Sequence, residues 1–189
     1  TLEGEINPEQ PELGNRKFPF SKQLYIEKED FKEEANRKFY RLTLGKEVRL
    51  KNAYIIKGES VVKDDLGNIV EIFCSYDPKS KSGSGSDESK RKVKGTLHWV
   101  SQAEALPIEV RIYDRLFQEE APDHDKSVDF KTYLNPNSMN SVTGFAEPSL
   151  SYAKPGDHFQ FQRLGYFVVD SNSRFDQPIF NKTVGLRDS

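Results

Sequence analysis

Along most of the chain hydrophobic and polar residues alternate with a period near two, which sends successive side chains to opposite faces of an extended strand. In Glu47-Val48-Arg49-Leu50-Lys51 the alternation is strict, so Arg49 and Lys51 are predicted to share one exposed face opposite Val48 and Leu50. Further strands are predicted over 53–57, 60–63 and 69–76, with Asp65-Leu66-Gly67-Asn68 supplying the turn of a hairpin. Others follow over 95–100, 108–117, 130–134, 158–163, 165–169 and 179–184, punctuated by Pro107, Pro122, Pro136, Pro148 and Pro155. One segment breaks this rhythm: between Glu29 and Phe39 the residues Phe31, Ala35 and Phe39 recur every four positions, which predicts one short helix. The opening, with Pro8, Pro11, Gly14 and Pro19, reads as an extended connector. The Ser-, Gly- and Lys-rich stretch from Asp77 to Glu88 reads as a flexible loop, having nothing to bury.

Short strands at regular spacing, with little helix, predict an all-β fold of closed or nearly closed antiparallel barrels, because closure removes exposed strand edges. The expected division is a connector over 1–20, a first barrel over 21–94 and a second over 95–189, whose last strands either stay in it or return to the first.

Composition agrees with a folded, polar-surfaced chain. Apolar residues make up only 35% of 189, yet 13 Phe and 8 Tyr are too many aromatics for disorder. The mean hydropathy is -0.75, and the absence of any run of eighteen apolar residues predicts no membrane span and a cytoplasmic location. Cys74 is the one cysteine, so it has no internal disulfide partner; beside Ile72 and Phe73 it is expected to be a buried thiol in a reducing compartment.

A net charge of -2 conceals a local asymmetry: Arg37, Lys38, Arg41, Lys46, Arg49, Lys51 and Lys57 face only Glu47 in their stretch. That excess suits a phosphate-facing patch. A second basic run, Lys90, Arg91, Lys92 and Lys94, reads as a solvated loop edge.

Catalytic chemistry is not visible. Gly83 and Gly85 lack the Lys-Ser/Thr and the flanking strand and helix of a phosphate loop, and Lys79-Ser80-Lys81-Ser82 belongs to low-complexity sequence. His98, His124 and His158 are too scattered for a zinc site, and His98 beside Trp99 is expected to be packed or hydrogen-bonded. No metal site and no cofactor are expected in this chain.

Five segments carry a family resemblance. They are Asp30 to Asn36, Leu44 to Tyr54, Val93-Lys94-Gly95-Thr96-Leu97-His98-Trp99-Val100, Glu109 to Phe117, and the ending Phe180-Asn181-Lys182-Thr183-Val184-Gly185-Leu186-Arg187-Asp188. Together they resemble the C-terminal anticodon-binding region of the bacterial-type glutaminyl-tRNA synthetases over essentially the whole chain. The resemblance implies two β-barrels of the ribosomal-protein type, against which the anticodon loop of tRNA(Gln) is splayed. It implies a monomeric ligase that attaches glutamine to tRNA with ATP and Mg, whose catalytic part lies outside this chain.

By the same resemblance, anticodon contacts fall on Lys38, Arg41, Arg49, Lys51, Gln160 and Arg163. Arg41 and Arg163 are implied near the third anticodon base, Arg49 and Lys51 near the first, and Gln160 at the middle uracil. Lys38 and Tyr40 depart from the family pattern, which has Gln and Lys at those positions. Strand alternation puts Gln160 and Arg163 on opposite faces unless the chain bends after Gln162, where Gly165 can help. Two alternatives stay open: a stand-alone rRNA-binding protein of the ribosomal type, and a segment of a eukaryotic-type glutamyl-tRNA synthetase, which shares the barrels.

Overall fold

The computed structural model describes residues 1–186; Arg187 and Asp188, which close the last resemblance segment, lie outside them. The chain divides into two compact units, Thr1–Glu104 and Ala105–Ser189.

In the first unit β1 (Leu2–Glu5) and β2 (Asn15–Phe18) form an antiparallel hairpin, and β3 (Leu24–Tyr25) follows. Then come β4 (Glu47–Leu50), β5 (Ile55–Lys63), β6 (Ile69–Asp77), helix α1 (Asp87–Lys90), β7 (Thr96–Leu97) and β8 (Val100–Ser101). The main sheet runs β6-β5-β4-β7, with β7 parallel to β4, while β8 pairs with β3. Leu2, Phe18, Leu42, Val48, Leu50, Ala53, Ile56, Leu97 and Trp99 form the core. The opening segment is thus folded rather than merely extended. Leu2 and Phe18 face each other in the hairpin and remove its apolar face from water, which ties the first eighteen residues to the core.

The second unit contains β9 (Leu106–Tyr113), β10 (Met139–Ala146), β11 (His158–Phe161), β12 (Gly165–Val169) and β13 (Ile179–Val184) in the order β10-β9-β13-β12-β11. Its core is Ile108, Ala146, Phe167, Val169 and the fully buried Phe180. The last strand does not return to the first unit: β13 lies between β12 and β9, parallel to β9. Polar side chains hold that parallel pair. Arg111 donates to Glu109 at 2.7 Å and to Asp170 at 3.4 Å, and Asn181 donates to Asp170 at 2.6 Å. Tyr113 donates to Asn181 at 3.0 Å, so β9, β13 and the turn after β12 share one network.

The fold is all-β, but both main sheets are open rather than closed barrels. In the first unit the edges are the nine-residue β6 and the two-residue β7, too unequal to zip into one continuous ladder. Three other expectations fail for local reasons. The helix over 29–39 is replaced by a 3-10 turn, Lys28–Asp30, and an irregular crossing. There the Asn36 side chain accepts from Lys38 N–H, and Lys32 N–H bonds the Leu42 carbonyl, so local and tertiary partners outcompete a helix. The segment 130–134 is a 3-10 turn, Phe130–Tyr133, started by Asp129 accepting from Lys131 N–H.

The stretch after Asp77 is the third, and it is built rather than loose, containing a 3-10 turn and α1. Its serines supply the backbone partners: fully buried Ser80 accepts from Ile55 N–H and donates to the Asp77 carbonyl, Ser82 donates to the Ala53 carbonyl, and Ser86 caps α1. Cys74 also differs, lying exposed on β6. Partial burial of the sulfur, and then the Glu59 carboxylate, nevertheless push the thiol up to about 11, which keeps it protonated at neutral pH.

Candidate nucleic-acid interface

In the first unit, the irregular crossing before β4 carries the aromatic-cationic run Phe39-Tyr40-Arg41. Arg41 is held in place: its guanidinium donates to the Glu29 carbonyl at 2.9 Å and pairs at 3.4 Å with Asp30, a carboxylate only 2% exposed. A buried carboxylate needs such a partner, so the orientation of Arg41 is determined by the core side.

Two clefts meet along this run. One, of about 750 Å³, is lined by Arg37, Phe39, Tyr40, Arg41, Lys46, Glu47, Lys57, Lys92 and Lys94, with Gly45 and Val93. The other, of about 560 Å³, is lined by Glu29, Lys32, Lys38, Phe39, Tyr40 and Arg41. Lys38 and Arg41 are therefore brought together. Lys92 and Lys94 come to the first cleft as well, although their charge run by itself reads as a solvated loop edge. The signal that would have found them is the parallel β4/β7 pairing, which has no local sequence mark.

Arg49 and Lys51 do not share one exposed face. Arg49 is half-buried, and its guanidinium donates to the Ser80, Ser89 and Arg91 carbonyls and to the Ser82 hydroxyl, at 2.9–3.3 Å. It organises the segment after β6. Lys51 lies in the turn after β4, where its carbonyl accepts from the Trp99 indole at 3.0 Å and its N–H bonds Leu97.

In the second unit Gln160 is exposed on β11, directly across from Tyr166 on β12, while Phe159 and Phe161 turn inward to the core. The chain does bend after Gln162: Leu164 N–H bonds the Phe161 carbonyl at 3.0 Å, closing a tight turn. Arg163 occupies that turn at φ 68°, a left-handed conformation rare for a residue with a long side chain. Gly165 follows at φ 140°, where a Cβ would collide with the Val184 carbonyl. The chain thus leaves the extended conformation at Arg163, so strand alternation no longer assigns its side chain a face.

Comparison with known proteins supplies the family. Residues 1–77 and 96–170 each match a family described as tRNA synthetases class I (E and Q), anti-codon binding domain. The chain is 53% identical over 184 residues, 97% of its length, to the glutamine-tRNA ligases of Shigella boydii serotype 4 and of Escherichia coli O157:H7. It spans about a third, 32%, of the length of these curated relatives. Two matched domains, an all-β fold and cationic clefts beside the exposed Tyr40 ring agree with one another, and the chain belongs to the anticodon-binding region of the class I (E and Q) tRNA synthetases.

Proposed function

We propose that this chain reads the anticodon loop of glutamine tRNA on behalf of a longer glutaminyl-tRNA synthetase. The observation that carries the reading is the 53% identity to glutamine-tRNA ligases across 97% of the chain. Joining glutamine to tRNA with ATP and Mg is assigned to the remainder of that longer protein. A monomer working in the cytoplasm suits this role, and no helix among the described residues is long and apolar enough to cross a membrane.

Single-stranded loop bases are recognised by stacking and by hydrogen bonds to their exposed edges, with cations neutralising the phosphates. In the first unit Lys38, Arg41 and Lys51 serve as donors to guanine edges and phosphates, for which guanidinium and ammonium groups are suited. Arg49, spent on four acceptors of its own chain, acts by shaping the segment after β6. In the second unit Gln160 offers one amide donor and one acceptor, the complement of a uracil edge. Arg163, in the turn that follows β11, supplies a cation three residues further along the chain.

The test compares affinities for an anticodon stem-loop with the middle uracil and for the same stem-loop with cytosine there. Gln160→Ala is expected to weaken uracil binding by about 1–3 kcal/mol and to erase the preference over cytosine. An equal loss for both RNAs, or none, removes Gln160 as the reader. A 5S rRNA fragment serves as the competitor: tighter binding to it than to the glutamine stem-loop would sink the anticodon assignment.

A further inference from the structure

We propose that the larger cleft of the first unit is a nucleotide seat in which one unstacked RNA base lies on Tyr40 and the flanking phosphates are held by Arg37, Lys46, Lys92 and Lys94. This rests on the anticodon reading and deepens it, since none of these five residues is among the contacts inferred above.

Charge is the first observation. Six cations, Arg37, Arg41, Lys46, Lys57, Lys92 and Lys94, line the cleft against one carboxylate, Glu47. That carboxylate is answered by Arg91, whose guanidinium donates to it at 3.0 Å, Lys57 lies 3.5 Å from Glu59, and Arg41 is paired with Asp30. Arg37, Lys46, Lys92 and Lys94 have no carboxylate in ion-pair range among the described residues. Four unanswered cations on one concave surface repel one another, and a polyanion relieves that repulsion.

The aromatic ring is the second. Tyr40 stays 51% exposed and borders both clefts, and the Lys94 ammonium lies 5.6 Å from its ring centroid. An open ring beside cations is the combination that binds single-stranded nucleic acid, the base stacking while the ammonium groups follow the backbone. Neighbouring Phe39 is half-buried, so Tyr40 is the more open of the two rings that border both clefts. Gly95 completes the seat: a Cβ there would collide with the Tyr40 carbonyl, so glycine lets the Lys92–Lys94 segment lie against the Tyr40 backbone.

The experiment uses the whole 189-residue chain and a stem-loop RNA carrying a glutamine anticodon. Affinity is measured across a salt series for wild type, Tyr40→Ala, Tyr40→Phe and the double variant Lys92→Ala/Lys94→Ala. Tyr40→Ala is expected to lower affinity about 5- to 100-fold while Tyr40→Phe keeps it, because the ring face and not the hydroxyl does the stacking. The double variant is expected to flatten the log-affinity against log-salt slope by about 1.4, roughly 0.7 for each lost phosphate contact. If Tyr40→Ala, shown folded by the wild-type fluorescence of Trp99, binds as wild type does, or if the double variant keeps the slope, the seat is refuted. Loss in these variants without any wild-type preference for the glutamine anticodon would keep the seat and sink the anticodon reading instead.

Discussion

A single guanidinium shows how a residue's surroundings decide its use. Arg49 alternates with buried Val48 and Leu50, as a strand residue facing solvent should, yet it ends half-buried with four acceptors around it. Removing it leaves three carbonyls and a hydroxyl with fewer donors, and partly buried acceptors that lose a charged donor cost about 1–3 kcal/mol. Arg49→Ala is therefore expected to lower unfolding stability by about 2 kcal/mol and to speed amide hydrogen exchange over 78–91. Unchanged exchange there would show that the serines hold the segment unaided. The outward position of Gln160 was legible because it alternates with the inward Phe159 and Phe161. Tyr40 was not, because its value depends on Lys92 and Lys94, more than fifty residues downstream.

At the scale of elements, the strands with clear alternation or an unbroken apolar run were readable: β4, β6, β12 and β13 lie where the pattern puts them. The predicted helix failed because Phe31 and Phe39 answer to separate partners; Phe31 bridges to Leu42 while Phe39 sits between two cations. The Ser/Gly stretch misled in the other direction, since composition tells how little a segment can bury and nothing of how many backbone groups its hydroxyls can satisfy. Packing of β7 beside the crossing rests on Gly95, at φ 105° and against the Tyr40 carbonyl. Gly95→Ala is expected to destabilise the first unit by more than about 1 kcal/mol, read from Trp99 fluorescence during urea unfolding, because strain and collision add. The same substitution is expected to weaken stem-loop binding through displacement of Tyr40. A neutral outcome in both measurements would mean the close approach is dispensable.

Across the whole molecule, the folded state holds several carboxylates below their ordinary range. The backbone N–H of Asn172, then the Asn181 amide and Arg111, lower Asp170; the Asn68 side chain lowers Asp64; the Ser127 side chain lowers Asp125. Each such group binds its proton more weakly folded than unfolded, so its stabilisation is complete above the unfolded value of about 4 and is lost as pH falls through the folded one. Urea midpoints are expected to be level near neutrality and to drop below about pH 4, with a shallower drop in Asp170→Asn. An identical acid limb in that variant would exclude Asp170 as a contributor. By itself the sequence determined the strand-rich class, the hairpin turn at 65–68, the outward Gln160 and the family, because these are written in short-range periodicity and in residue identity. Only the tertiary structure decided that the sheets stay open, that the opening segment joins the core, that Arg49 turns inward and that two distant basic runs share one cleft. Those outcomes depend on which strands pair across long stretches of chain, and pairing partners are selected by the mutual burial of whole faces, which no local pattern encodes.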